Sequence, residues 1–157
     1  MTAPRGMSTL AREDRRVEIV RRLRALRADS PRRWGRMSAH QAVCHLSDAF
    51  RMALGQRSVA PATGRRQRTA VKWMALYVPL PWPTGIMTLP ELDQTCTGTS
   101  PVEFAADLRE LEALLEAFVR RRGHYSPQHP IFGRMSTRDW LRWAYRHTDH
   151  HLRQFGV

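Results

Sequence analysis

The segment Ser136–Gly156, STRDWLRWAYRHTDHHLRQFG, decides the fold. Ser136 with Asp139 three residues on is a helix-start signature, because the two side chains satisfy free backbone N–H groups of the first turn. No Gly or Pro follows until Gly156. At about 100° per residue, Arg138, Arg142, Arg146, Asp149 and Arg153 share one charged face. Trp140, Trp143, Ala144, His147, His151 and Gln154 share a second, and Leu141, Tyr145 and Leu152 form a third, apolar flank. Apolar groups on two flanks predict a helix buried over well more than half its circumference. The arginines Arg138, Arg142, Arg146 and Arg153 then mark its solvent side.

Working outward, Leu10, Val17, Val20, Leu23 and Leu26 recur at helical spacing and predict a first helix over about 10–28. Ser38 with Gln41 fits a capping box, and HQAVCHLSDAFRMAL continues as a second helix to Gly55. Ala39, Ala42, Val43, Leu46, Ala49, Phe50 and Ala53 fill its apolar arc, with His45 at the border and His40, Cys44, Ser47 and Arg51 mostly opposite. Residues 67–78 read as a short helix. Pro79, Pro81, Pro83 and Pro90 then exclude a regular element, so the chain makes a long crossover whose Trp82, Ile86, Met87 and Leu89 favour packing. Ser100-Pro101-Val102-Glu103 predicts the next helix start, with Ser100 as cap, and Phe104, Leu108, Leu111, Leu115 and Phe118 supply its stripe. The strand signal is weak everywhere. The expected fold is all-α: a four-helix bundle with a long proline-rich crossover between the second and third main helices. Residues 1–9 read as a flexible tail, and residues 10–157 as one domain.

The length of 157 residues suffices for a core, since a chain of this size buries roughly 70% of its unfolded surface. With 42% hydrophobic and 25% charged residues, composition excludes disordered, collagenous and disulfide-scaffold classes. Cys44 and Cys96 are too sparse for a disulfide framework, and MTAPRGMSTLAREDRRVEIV has no apolar stretch typical of export signals. The expectation is a cytoplasmic protein with reduced cysteines. The proline-broken stretch from Trp73 to Trp82 is too short to span a bilayer, so no membrane partner is expected.

The net charge of +12 is the unusual quantity. It is polarised: residues 1–36 hold eleven arginines and four acids, whereas residues 91–117 hold seven acids and one arginine. A nucleic-acid surface is one reading, but no recognition helix, zinc finger or aromatic RNA-binding signature accompanies the charge. The other is a solvated basic face pairing with the acidic helix, within the chain or across a homodimer.

His147 and His151 stand one turn apart on the inward arc of the last helix, able to hold one metal ion together, and His45 borders the inward arc of the second. Three neutral imidazoles from two helices would leave coordination positions open, as in catalytic rather than structural sites. The alternative is a set of half-buried histidines hydrogen-bonded to backbone or water. His40, Trp140, Trp143 and His150 are candidates for the surrounding pocket, with bundle core as the plainer role for both tryptophans. Cys44 reads as a free cysteine. His124 and His129 read as loop residues, and Asp48 and Asp149 point off the inward arc.

The segments Met37–Phe50, His129–Trp140 and His147–Gly156 together resemble the second and last helices of DinB-like, YfiT-type four-helix bundle proteins. The proline-rich stretch between them resembles a branch of that superfamily usually described only as a domain of unknown function. The resemblance implies a divalent metal, such as zinc, nickel or iron, on His45, His147 and His151. Characterised members of the superfamily include transferases that use bacillithiol, mycothiol or glutathione. The resemblance thus implies a small-molecule partner, an anionic thiol or its conjugate, with arginines assisting its capture. A non-enzymatic binding module on the same scaffold remains the alternative, since fold transfers better than activity.

Overall fold

The computed structural model describes residues 7–62 and 64–157. The expected tail over residues 1–9 lies, for residues 1–6, outside the described residues. The chain is mainly helical: α1 (Glu13–Ala25), α2 (Ala39–Ala53), α3 (Arg65–Tyr77), α4 (Phe104–Arg120) and α5 (Thr137–Gln154). A single turn of 3-10 helix at Pro90–Leu92 interrupts the crossover. Strands β1 (Gln128–His129) and β2 (Gly133–Arg134) pair antiparallel just before α5. No helix among the described residues is long and apolar enough to cross a membrane.

The described residues hold five helices, the four main ones expected and the short helix read at 67–78, which covers Arg65–Tyr77. Residues 65–77 form a full helix because Leu76 enters the core and Tyr77 is held by α5, its hydroxyl donating to Asp139. The β-hairpin is the element that the sequence does not announce, since two-residue strands carry no periodicity. Gly133, the first residue of β2, leaves the turn with φ +67°, a conformation that favours glycine.

Both capping boxes form as read: the Ser38 hydroxyl accepts from the Gln41 N–H, and the Ser136 hydroxyl from the Asp139 N–H. The start of α4 differs. The Glu103 carboxylate, not Ser100, caps it by accepting from the Ala105 and Ala106 N–H groups. The helix begins three residues late because the Val102 N–H already donates to Asp107 Oδ2 and Thr99 is tied to α2. On α1 the inward stripe is Ile19 and Leu23, whereas Val17 is 62% exposed.

Helix α2 is buried nearly all round. Its predicted arc packs inward, but Cys44, Ser47 and Asp48 are buried as well. α4 covers the face that a two-sided reading leaves to water. The carboxylate of Asp48, fully buried, accepts from Arg51 Nη1 (2.8 Å), Arg57 Nη1 (3.3 Å), Gln94 Nε2 (3.2 Å), and both the N–H and hydroxyl of Thr99 (2.7 Å each). These bonds pin the crossover to α2. Arg57 adds the Glu91 and Thr97 carbonyls, and the Trp82 indole donates to the Ala75 carbonyl at 2.7 Å.

The arginine face of α5 is not the solvent side throughout. Arg142 is 4% exposed, its guanidinium lying 4.4 Å from the centroid of the Tyr77 ring. Arg146 is half-buried and donates to the carbonyls of Val78 and Leu80. α3 and the crossover cover this face, which no local pattern could announce. His129 is likewise no loop residue but a buried strand residue. Its Nδ1 accepts from the Ile131 and Phe132 N–H groups, and burial pushes its pKa down to about 3.

The basic and acidic segments meet inside the chain: Arg24 forks onto Glu112, and Arg51 reaches Glu110. Both are surface pairs, screened by solvent, and contribute little to stability.

Replacing Asp48 by Ala should lower unfolding free energy by about 1–3 kcal/mol, because it removes the buried acceptor shared by Arg51, Arg57, Gln94 and Thr99. Urea denaturation measures this, and limited proteolysis should find the crossover newly susceptible. The pKa of His129 is depressed, so its neutral form stabilises the fold above the unfolded value, and that stability drains as pH falls from about 6.5 towards 3. His129→Asn keeps an acceptor without a titrating group, so its urea midpoint should fall less steeply with acid than that of the wild type. Parallel slopes would assign the acid sensitivity elsewhere.

Candidate metal centre

α2 carries His45 and α5 carries His147 and His151, and the fold brings one ring nitrogen of each to within 4.8 Å of the others. His45 and His151 are buried, while His147 is half-buried. The ring centroids lie 4.7–5.0 Å apart.

The outer hydrogen bonds determine which nitrogens face inward. His45 Nδ1 lies 2.8 Å from the Leu92 carbonyl, which only accepts, so Nδ1 carries the proton and Nε2 keeps its lone pair. Gln154 Nε2 donates to the Trp34 carbonyl at 2.9 Å, which turns Oε1 towards His151 Nδ1, also at 2.9 Å. His151 Nδ1 therefore donates, leaving its Nε2 lone pair free. Such outer partners set the tautomer and raise the basicity of a ligating imidazole. Gly35 makes the second contact geometrically feasible. It sits at φ +77°, and a Cβ there would lie 2.6 Å from Gln154 Nε2.

His45 Nε2 and His147 Nε2 are 3.0 Å apart. Two nitrogen donors at about 2.1 Å from one ion are about 3.0 Å apart in an octahedral facial set and about 3.4 Å apart in a tetrahedral one, so the spacing suits a shared metal in the first geometry and nearly so in the second. Charge suits it as well. Burial, then the neighbouring histidines, pushes His147 and His151 well below the ordinary imidazole value, and burial also lowers His45. Neutral imidazoles are the form that ligates. The residues present fit a divalent ion.

Trp143 lies 5.2 Å from His147, ring to ring, and floors the group. Trp140 is core, packed on Trp143, Tyr125 and His129. His150 is at the rim, against Trp34 and Trp82. His40 lies outside this group, with Nε2 2.6 Å from Asp107 Oδ2 on α4. Cys44 is a free, buried thiol that burial pushes up to about 12. Sequence reading missed Trp34, Trp82 as a wall over His147, and Gln154 as the partner of His151. Only the position of Gln154 on the histidine face of α5 could have signalled its part.

Gln154→Leu keeps the volume and removes the amide. It should weaken divalent-metal affinity by about 10–100-fold, measured by competition with a chromophoric chelator, while the fold persists. An unchanged affinity would show that the His151 ring needs no outer anchor.

Comparison with protein families matches residues 10–156 to the family described as "Protein of unknown function (DUF1569)". No curated protein and no solved structure matches the chain. With nearly its whole length matched, the chain belongs to this family of unknown function.

Proposed function

We propose that the chain is a DinB-like metalloprotein. In this reading α1, α2, α4 and α5 are the four-helix bundle, and α3 and the crossover are laid over it. His45, His147 and His151 hold one divalent ion, and the protein works as a thiol-dependent S-transferase. The observation that carries the reading is the convergence of three neutral imidazoles with two of their outer nitrogens anchored. A divalent ion on such a set supplies Lewis acidity, which lowers the pKa of a thiol or water at its open positions.

The chain's own groups have separable parts. The three rings are uncharged, so they leave the positive charge of the site whole. Trp82 and Trp34 wall the rim and restrict water, with His150 between them. The guanidinium of Arg146 lies 5.9 Å from the Trp82 ring, held by two backbone carbonyls. It supports capture of a carboxylate-bearing thiol. Among the described residues no carboxylate hydrogen-bonds the three rings, which favours nucleophile activation over carboxylate acid–base chemistry. The same observation favours a second reading, a metal-dependent binding module without turnover.

The test is metal analysis of protein purified without a histidine tag. Near-stoichiometric zinc, nickel or iron is expected at this site, lost in His147→Ala that remains helical by circular dichroism. Equal metal in both proteins would sink the assignment. With metal retained, thiol-conjugation assays separate transferase from binding module: consumption of thiol and electrophile supports the first, and saturable thiol binding without product supports the second.

A further inference from the structure

We propose that the facing sides of α2 and α4 carry a second divalent-metal site, formed by His40, Cys44 and Asp107. His40 and Cys44 are one turn apart on α2, and Asp107 comes from the first turn of α4. One ligating atom from each lies within 4.8 Å of the others. The set is distinct from the three histidines in donors and in partner helix, and it does not rest on the function proposed for them.

The distances decide that a metal can enter with small adjustment. Tetrahedral zinc, with a bond of about 2.3 Å to sulfur and about 2.1 Å to a carboxylate oxygen, sets the S···O edge at about 3.6 Å. Cys44 Sγ and Asp107 Oδ2 are 3.8 Å apart. The N···O edge at such an ion is about 3.4 Å. His40 Nε2 and Asp107 Oδ2, at 2.6 Å, must therefore part by less than about 1 Å. The His40 ring stands edge-on to Phe104, and Asp107 Oδ2 also accepts from the Val102 N–H. The His40 and Asp107 side chains are each 19% exposed, which gives an ion a path in and water as a further ligand. One thiolate, one imidazole and one carboxylate suit zinc or cobalt rather than calcium or magnesium. On binding, the Cys44 sulfur gives its proton to solvent and its electron pair to the metal.

Cobalt(II) reports this site separately, because a thiolate ligand adds a near-ultraviolet charge-transfer band that three imidazoles cannot produce. In Cys96→Ser protein, whose sole remaining cysteine is Cys44, cobalt titration should give a saturable band. His40→Gln and Asp107→Asn, added singly, should each weaken that response by at least about tenfold, the cost common even for an outer-sphere partner. His147→Ala should leave it intact, so loss of the three-histidine site and loss of this one are distinguishable. No thiolate band from folded Cys96→Ser protein at saturating cobalt would overturn the proposal. So would a band indifferent to both His40→Gln and Asp107→Asn, which would mark a lone reactive thiol.

Discussion

The buried carboxylate of Asp48 is the constraint on which the rest of this structure depends. A charge removed from water is tolerable only when several donors surround it, and here two arginines, Gln94 and both polar groups of Thr99 do so. Those donors come from α2 itself, the loop after it and the far end of the crossover. One carboxylate, with the arginines it holds, thus fixes the far end of the crossover, from Glu91 to Thr99, against α2. It also explains why α2 shows hardly any solvent face: the crossover and α4 share the side that its sequence makes polar.

The histidine cluster inherits its geometry from this arrangement. With the crossover pinned, the Leu92 carbonyl meets His45 Nδ1 and Trp82 settles over His147 and His150. From the other side, the loop between α1 and α2 presents the Trp34 carbonyl to Gln154, which turns its amide towards His151. The rings are carried by two rigid helices but aimed by two loops. Rigid elements set the positions, and hydrogen bonds from the loops select the nitrogens.

Much of the helical framework was legible because helix signals are local. Ser38 with Gln41 and Ser136 with Asp139 act within one turn, so their caps could be read directly. The periodicity of α5 put His147 and His151 on one face for the same reason. Ser100 failed as a cap although its pattern was good, because Thr99 and Val102 already served Asp48 and Asp107. Arg142 failed as a surface marker because Tyr77, from a helix some 65 residues earlier in the chain, covers it. His129 was misplaced because a two-residue strand has no pattern to detect.

By itself the sequence determined a mainly helical chain, the two capping boxes, and the placement of His147 and His151 one turn apart. These depend on interactions spanning three or four residues, for which spacing is sufficient. Tertiary structure alone decided the spacing at which His45 meets that pair, that Asp48 and Arg142 are buried, and that His40, Cys44 and Asp107 converge. Each of these depends on which helix covers which face. That is settled by packing over the whole chain, where a polar residue goes inside when enough partners arrive with it.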